Sequence, residues 1–82
     1  MEATKSSRLQ TSITEMAVRA QERRARRLLI QGNLDTAMTV YREILELNPD
    51  YANAHFQLGL CYRQRRQWSE AAAALQRAHI LG

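Results

Sequence analysis

The stretch LNPDYANAHFQLG, which spans residues 47–59, decides the fold of this chain. Pro49 lacks the amide hydrogen that a continuing helix needs, and it favours an extended conformation at Asn48. Helix-forming residues resume at once, and Gly59 then stands where the new helix should be strongest. A glycine costs a helix interior about 1 kcal/mol, so we interpret Gly59 as the point where another helix approaches closely. The stretch therefore predicts two helical units separated by a break at Pro49.

The composition favours one small helical domain. The chain has 82 residues and is rich in alanine, leucine, arginine, glutamine and glutamate, with a single proline. No run approaches the roughly 20 apolar residues of a membrane span. The first ten residues lack the apolar segment of a signal peptide, so a cytoplasmic protein is expected. Cys61 is the only cysteine, which excludes an intrachain disulfide and a cysteine-based metal site.

The pattern of breaks and apolar residues predicts four helices. They run from about Ile13 to Gln31, from Leu34 to about Leu47, from about Tyr51 to Arg65 and from about Trp68 to Leu81. Because the connections are short, neighbouring helices should be antiparallel.

Local signals set the expected ends of these helices. Residues 1–11 are polar and lack a sustained apolar period, which predicts a mobile N-terminal tail. Ser12 and Glu15 fit a capping box at the start of the first helix. Gly32 suits its end, and Asn33 is a good N-cap for the second helix.

An internal repeat appears when the sequence is shifted by 34 residues. Large residues then align with large ones, and small residues with small ones. The aligned pairs include Ala20 with Ala54, Ala25 with Gly59, Leu28 with Tyr62, Leu34 with Trp68, Ala37 with Ala71 and Tyr41 with Leu75. We assign residues 12–51 to the first unit, with an extended first helix, and residues 52–82 to the second.

The aligned positions resemble the tetratricopeptide repeat, a family of 34-residue helix–turn–helix units. The second unit carries Leu58-Gly59, Tyr62, Ala71 and Leu75, and the first carries Ala25, Leu28, Ala37, Tyr41 and Pro49. The resemblance implies an all-α fold of tandem helix–turn–helix repeats, an α-solenoid fragment of four antiparallel helices.

Some positions depart from the family signature. Gln21 and Arg24 replace an aromatic residue and a leucine, so this side of the first helix is expected to face water, as in the first helix of an array. Arg66 and Gln67 replace the glycine turn of the first unit. A residue other than glycine costs roughly 1 kcal/mol in the left-handed region, which predicts a softer second turn.

The resemblance also implies a protein–protein interaction module. In this family the first helix of each pair lines a concave groove that commonly binds a peptide or an amphipathic helix, and here an acidic one would suit. The matching positions are Arg19, Glu22, Arg26, Leu29 and Ile30 in the first unit, and Asn53, Phe56, Leu60, Arg63 and Gln64 in the second. The alternative is that another helix of the same protein, or a second copy, covers this strip.

The arginines have a second interpretation. Residues 19–27 hold five arginines against one glutamate, and the net charge of the chain is +4. The cluster serves either to solvate an exposed helix or to bind an acidic partner. A basic nucleic-acid-binding module is a further alternative, and it is less favoured because no aromatic residues for base stacking lie between the arginines.

Nothing in the sequence predicts catalysis. His55 and His79 fall on different helices, and the glycines are too scattered for a phosphate-binding loop. We therefore expect no enzyme activity, no cofactor and no metal site. A further alternative is that the chain is a non-catalytic appendage of a larger enzyme.

The last helix should carry a surface for self-association or for a further repeat. Its candidate residues are Trp68, Ala72, Ile80 and Leu81. Since two repeats seldom bury their own apolar faces, we expect either a homo-oligomer or a part of a longer array.

Overall fold

The computed structural model describes the backbone of residues 2–82 and the side chains of residues 9–82. All regular structure in this part of the chain is helical. The helices are α1 (Glu2–Ile30), α2 (Leu34–Leu47), α3 (Ala52–Gln64) and α4 (Trp68–Leu81). The predicted all-α fold is confirmed, and α2 and α4 have the predicted bounds.

Each helix packs against the next one along the chain: α1 on α2, α2 on α3, and α3 on α4. The connections are residues 31–33, 48–51 and 65–67. Connections of this length reverse the chain direction, so neighbouring helices are antiparallel. The molecule is a stack of two helical hairpins, as the 34-residue repeat predicts.

The predicted start of the first helix is wrong. α1 begins at Glu2 rather than at Ile13, so residues 2–11 are its first turns instead of a tail, and Met1 lies outside the described residues. Ser12 sits inside the helix and cannot form the predicted capping box. The physical reason is that an apolar period reports packing, whereas helix formation needs only favourable residues without proline or glycine. No such residue precedes Gly32.

The turn between α1 and α2 depends on a glycine. Gly32 has φ of +79°, its amide donates to the Leu29 carbonyl at 3.0 Å, and the Asn33 amide donates to the Leu28 carbonyl at 2.8 Å. This pair of bonds is a Schellman motif, which satisfies carbonyls at a helix end. Asn33 precedes α2 as predicted, but its side chain makes no capping hydrogen bond.

The turn between α3 and α4 has the same bonds without a glycine. Arg66 has φ of 59°, its amide donates to the Arg63 carbonyl at 3.0 Å, and the Gln67 amide donates to the Tyr62 carbonyl at 2.9 Å. The predicted left-handed conformation at Arg66 is therefore confirmed.

Replacing Arg66 with glycine should raise the free energy of unfolding by about 1 kcal/mol, because glycine adopts the left-handed region without a steric penalty. Arg66→Ala is the matched control, since it removes the same charge and keeps the penalty. Urea denaturation followed by circular dichroism measures both variants. Equal stabilisation by alanine and by glycine would show that charge, and not backbone conformation, weakens this turn.

The core is centred on α2. Its largest fully buried side chains are Tyr41, Met38, Ile44 and Val40. Val18 and Ala25 from α1, and Ala54, Leu58 and Cys61 from α3, pack around them. Burial, as the largest cause, raises the pKa of Tyr41 to about 12. Because α2 supplies the centre, it fixes the positions of α1 and α3 on either side.

Gly59 marks the closest approach of α3 to α4, as the sequence predicts. A methyl group built at Gly59 would lie 2.6 Å from Cδ2 and 2.7 Å from Cγ of Leu75. Leu75 is therefore the residue of α4 that lies against Gly59, and Ala71, one turn before Leu75, is buried.

The two residues of α1 that depart from the family signature, Gln21 and Arg24, have different surroundings. Arg24 is exposed, as expected. Gln21 is half-buried, and its Nε2 donates to Oε2 of Glu43 on α2 at 3.2 Å. The expectation that Gln21 faces water is therefore wrong, because a polar partner on α2 allows it to pack there.

Candidate functional site

A polar contact joins α1 to the start of α3. The Tyr51 hydroxyl donates to Oε2 of Glu22 at 2.9 Å, and Nδ2 of Asn53 donates to the same oxygen at 2.5 Å. Burial and then the hydrogen bond to Glu22 raise the pKa of Tyr51, so the phenol stays a neutral donor. The structure thus brings together Glu22 and Asn53, two of the predicted groove residues, and adds Tyr51.

A cleft with both apolar and polar lining residues lies further along the same two helices. It has a volume of about 310 Å³, and Leu29 and Leu60, both predicted groove residues, line it together. Its remaining lining residues are Gly32, Leu34, Gln57, Cys61 and Gln64. We use the name groove for the surface of α1 and α3 that runs from Glu22 and Asn53 to this cleft.

Phe56 lies on a different side of α3 from this cleft. Phe56 is 45% exposed and lines a second, apolar cleft of about 470 Å³, between α3 and α4. Ala52, Asn53, Leu75, Ala78 and His79 complete that lining. Among the predicted groove residues, Asn53 reaches both surfaces, and Phe56 belongs with α4.

The arginines beside the groove are exposed and unpaired. Arg19, Arg26 and Arg63 make neither a hydrogen bond nor an ion pair with any residue that the structure describes. Elsewhere arginines do pair: Arg65 with Asp35, and Arg77 with Asp50. Three guanidinium groups near the groove are therefore free to bind carboxylates.

Two side chains of types that often take part in catalysis, Cys61 and His55, lie on α3. Cys61 is buried, and burial raises the pKa of its thiol, which disfavours the nucleophilic thiolate. Nε2 of His55 lies 2.8 Å from the Pro49 carbonyl oxygen. Over residues 9–82, no three or more histidine, cysteine or acidic side chains are grouped to hold a metal ion.

Two sequence models of one protein family match this chain. One, described as TPR repeat, matches residues 25–65, and the other, described as Tetratricopeptide repeat, matches residues 52–81. The chain belongs to the tetratricopeptide repeat family. Tetratricopeptide repeats generally act as protein–protein interaction modules and are typically non-catalytic. A comparison with curated proteins found no match.

The candidate residues on the last helix of the second tetratricopeptide repeat do not share one face. Trp68 and Ala72 are four residues apart, so they lie on the same side of α4, and both are exposed. Ile80 is also exposed but lies about a third of a turn round from them, and Leu81 is half-buried on another side. The face of Trp68 and Ala72 continues to Leu75, at the edge of the Phe56 cleft.

Sequence reasoning missed an apolar stripe on the first repeat. Leu9, Ile13 and Met16 are 66%, 58% and 70% exposed. Their spacing of four and then three residues is the signal that could have revealed them, but it was hidden because residues 1–11 were expected to form a tail. Among the helices that the structure describes, none is both long and apolar enough to cross a membrane.

Proposed function

We propose that the groove between α1 and α3 binds an acidic or amphipathic segment of another protein. The observation that supports this most is the set of exposed arginines on the two helices that line the cleft, which are unpaired among the described residues. Arg26 lies one turn before Leu29 on α1, and Arg63 lies one turn after Leu60 on α3.

The two parts of the groove suit different parts of such a segment. The cleft of Leu29 and Leu60 offers an apolar side chain a place to leave water. The guanidinium groups offer paired donors to carboxylates. Glu22 accepts hydrogen bonds from the neutral side chains of Tyr51 and Asn53 and makes no ion pair with an arginine of the described residues. The net charge of +4 adds a general attraction for acidic partners.

The double variant Arg26→Glu and Arg63→Glu should lose most of its protein partners, because the same charges would then repel carboxylates. Capture from a cell extract by immobilised protein, with quantitative mass spectrometry, measures this, and circular dichroism checks helicity. The matched control is Arg42→Glu with Arg77→Glu, which makes the same change in net charge at exposed residues of α2 and α4. An identical set of captured proteins from the groove variant and the wild type would remove the groove from the proposal.

Nucleic acid competes as the ligand of these arginines, since the cluster in residues 19–27 is exposed. Titration with single-stranded and duplex oligonucleotides at two salt concentrations separates the two functions. Micromolar binding that weakens steeply with salt would favour nucleic acid, whereas weak binding that ignores oligonucleotide type would favour a protein partner.

We further propose that the Phe56 cleft and the adjoining Trp68 face bind either a second copy or a following repeat. Phe56→Glu and Trp68→Glu should therefore reduce association of the chain, as measured by light scattering after gel filtration over a range of concentrations. Ala73→Glu is the control, because Ala73 is exposed on another side of α4. A wild-type chain that stays monomeric at every concentration would rule out self-association and leave the following repeat.

A further inference from the structure

We propose that the outer face of α1 binds an amphipathic helix of another protein, one with an acidic half and an apolar half. The outer face is the side of α1 turned away from the core. It consists of Leu9, Ile13 and Met16 in its first half and Arg23, Arg24 and Arg27 in its second half. This binding surface is separate from the groove, and the proposal does not depend on groove function.

The helical period places these residues. Val18 is buried against the core. Leu9 and Arg27 each lie nine residues from Val18, which is about two and a half turns, so both are on the opposite side of the helix. Ile13 and Met16 fall close to the same line along the helix. Both are exposed, as expected for residues opposite the buried Val18.

The first half of the outer face is apolar and uncovered by the described residues. Leu9, Ile13 and Met16 each keep more than half of their surface exposed. The spacing of four and three residues makes them a continuous stripe along nearly two turns. Such a stripe is what a second helix packs against when it lies alongside.

The second half of the outer face is basic, and its positive charges have no acidic partner in the described part of the chain. Arg23, Arg24 and Arg27 are exposed, and none of them makes a hydrogen bond or an ion pair with the described part of the chain. The carboxylates that α1 carries over residues 9–30 are Glu15 and Glu22, which lie three and four residues from Val18 and hence towards its side of the helix.

Charge complementarity argues against a second copy of the chain as the occupant. In a parallel pair, the arginines of the two outer faces would meet. In an antiparallel pair they would face the apolar half of the other copy, which offers them no carboxylate. Neither arrangement therefore gives the arginines a partner of opposite charge. Carboxylates on a different protein match the arginines and can bind each guanidinium through two hydrogen bonds.

The apolar and basic residues of the outer face are separated along the helix axis, which argues for a partner helix rather than a lipid surface. A helix that lies on a membrane separates apolar and basic residues around its circumference. Here the separation runs along the axis, since Leu9 and Arg27 share one line. A flat membrane would therefore meet apolar side chains at one end and arginines at the other. A partner helix can change its chemistry along its length in the same way, over about 27 Å from Leu9 to Arg27.

The orientation of the partner follows from the helix dipole. An antiparallel partner places its N-terminal half beside Arg23, Arg24 and Arg27. Carboxylates are favoured in the first turn of a helix, where the dipole is positive. The fitting partner thus has acidic residues in its N-terminal half and apolar residues, three and four positions apart, in its C-terminal half.

The test uses a synthetic fluorescent peptide of about 20 residues with this pattern and the full chain. Fluorescence anisotropy should show binding that weakens as salt rises. Arg23→Glu with Arg27→Glu should weaken binding about tenfold or more, because two attractive pairs become repulsive. Met16→Glu should weaken binding as well. The groove variant Arg26→Glu with Arg63→Glu should bind the peptide much more tightly than the outer-face variant does.

Further experiments test the other possible occupants of the outer face. A peptide with lysine in place of every glutamate should not bind, and equal binding of that peptide overturns the proposal. The proposal is also overturned if the outer-face variants bind the acidic peptide with the same affinity as the wild type. Vesicles of phosphatidylcholine with phosphatidylserine test the lipid surface, and capture of the chain by vesicles that the acidic peptide fails to displace contradicts the proposal. A dimer of the wild type that Met16→Glu converts to a monomer would assign this face to a second copy.

Discussion

Replacing Gly59 with leucine should lower the free energy of unfolding by about 3 kcal/mol. The first added carbon alone would lie 2.6 Å from Cδ2 and 2.7 Å from Cγ of Leu75, and 3.3 Å from the Leu75 amide nitrogen. Rotation of Leu75 can relieve the first contact, but the other two involve the branch point and the backbone of α4. The leucine therefore forces α3 and α4 apart. Urea denaturation followed by circular dichroism measures the loss.

A smaller substitution tests the same contact more sharply. Gly59→Ala gains about 1 kcal/mol of helix propensity, yet it should still destabilise the chain because its methyl group overlaps Leu75. In a Leu75→Ala background the overlapping side-chain atoms are gone and only the 3.3 Å contact with the backbone nitrogen remains, so Gly59→Ala should become stabilising. The change of sign between the two backgrounds is a coupling energy that only neighbouring residues show.

The control for these variants is Ala72→Leu, a bulky residue on an exposed side of α4. It should change stability by less than about 0.5 kcal/mol. If Gly59→Leu unfolds at the same urea concentration as the wild type, the close approach of α3 and α4 at this residue is wrong.

The ends of the helices were predictable wherever the sequence contains a break. α2 lies between the glycine turn at Gly32 and the break before Pro49, and its predicted bounds are confirmed. The start of α1 has no such break. A polar segment can be helical without packing on anything, so its lack of apolar period could not separate a tail from a helix.

The groove was predictable in part because the repeat aligns positions on helix faces. Alignment alone placed Glu22 and Asn53 near each other, and the structure shows them hydrogen-bonded. It also grouped Phe56 with Leu60, although the two line different clefts. Helical periodicity fixes the direction of a side chain on its own helix. It does not fix which neighbouring helix lies there, because that depends on how the helices cross.

Side-chain partners were beyond the sequence altogether. Tyr51 was expected only to begin α3, and its bond to Glu22 joins residues that are 29 positions apart. Such a bond depends on the stacking of α1 and α3 on α2. Ile44 is fully buried at the centre of that stack. The groove therefore depends on α2, which holds α1 and α3 in position.

Replacing Ile44 with alanine should lower the free energy of unfolding by about 3 kcal/mol, through the loss of apolar burial and the cavity left behind. That is a large share of the roughly 4–12 kcal/mol expected for a chain of this length. Leu47→Ala on the same helix is the matched control, since Leu47 is 44% exposed and should cost clearly less. Because α2 holds α1 and α3 in place, the Ile44 variant should also lose partner capture by the groove as it unfolds. Equal losses of stability for the two variants, measured by urea denaturation, would show that Ile44 does not lie at the centre of the core.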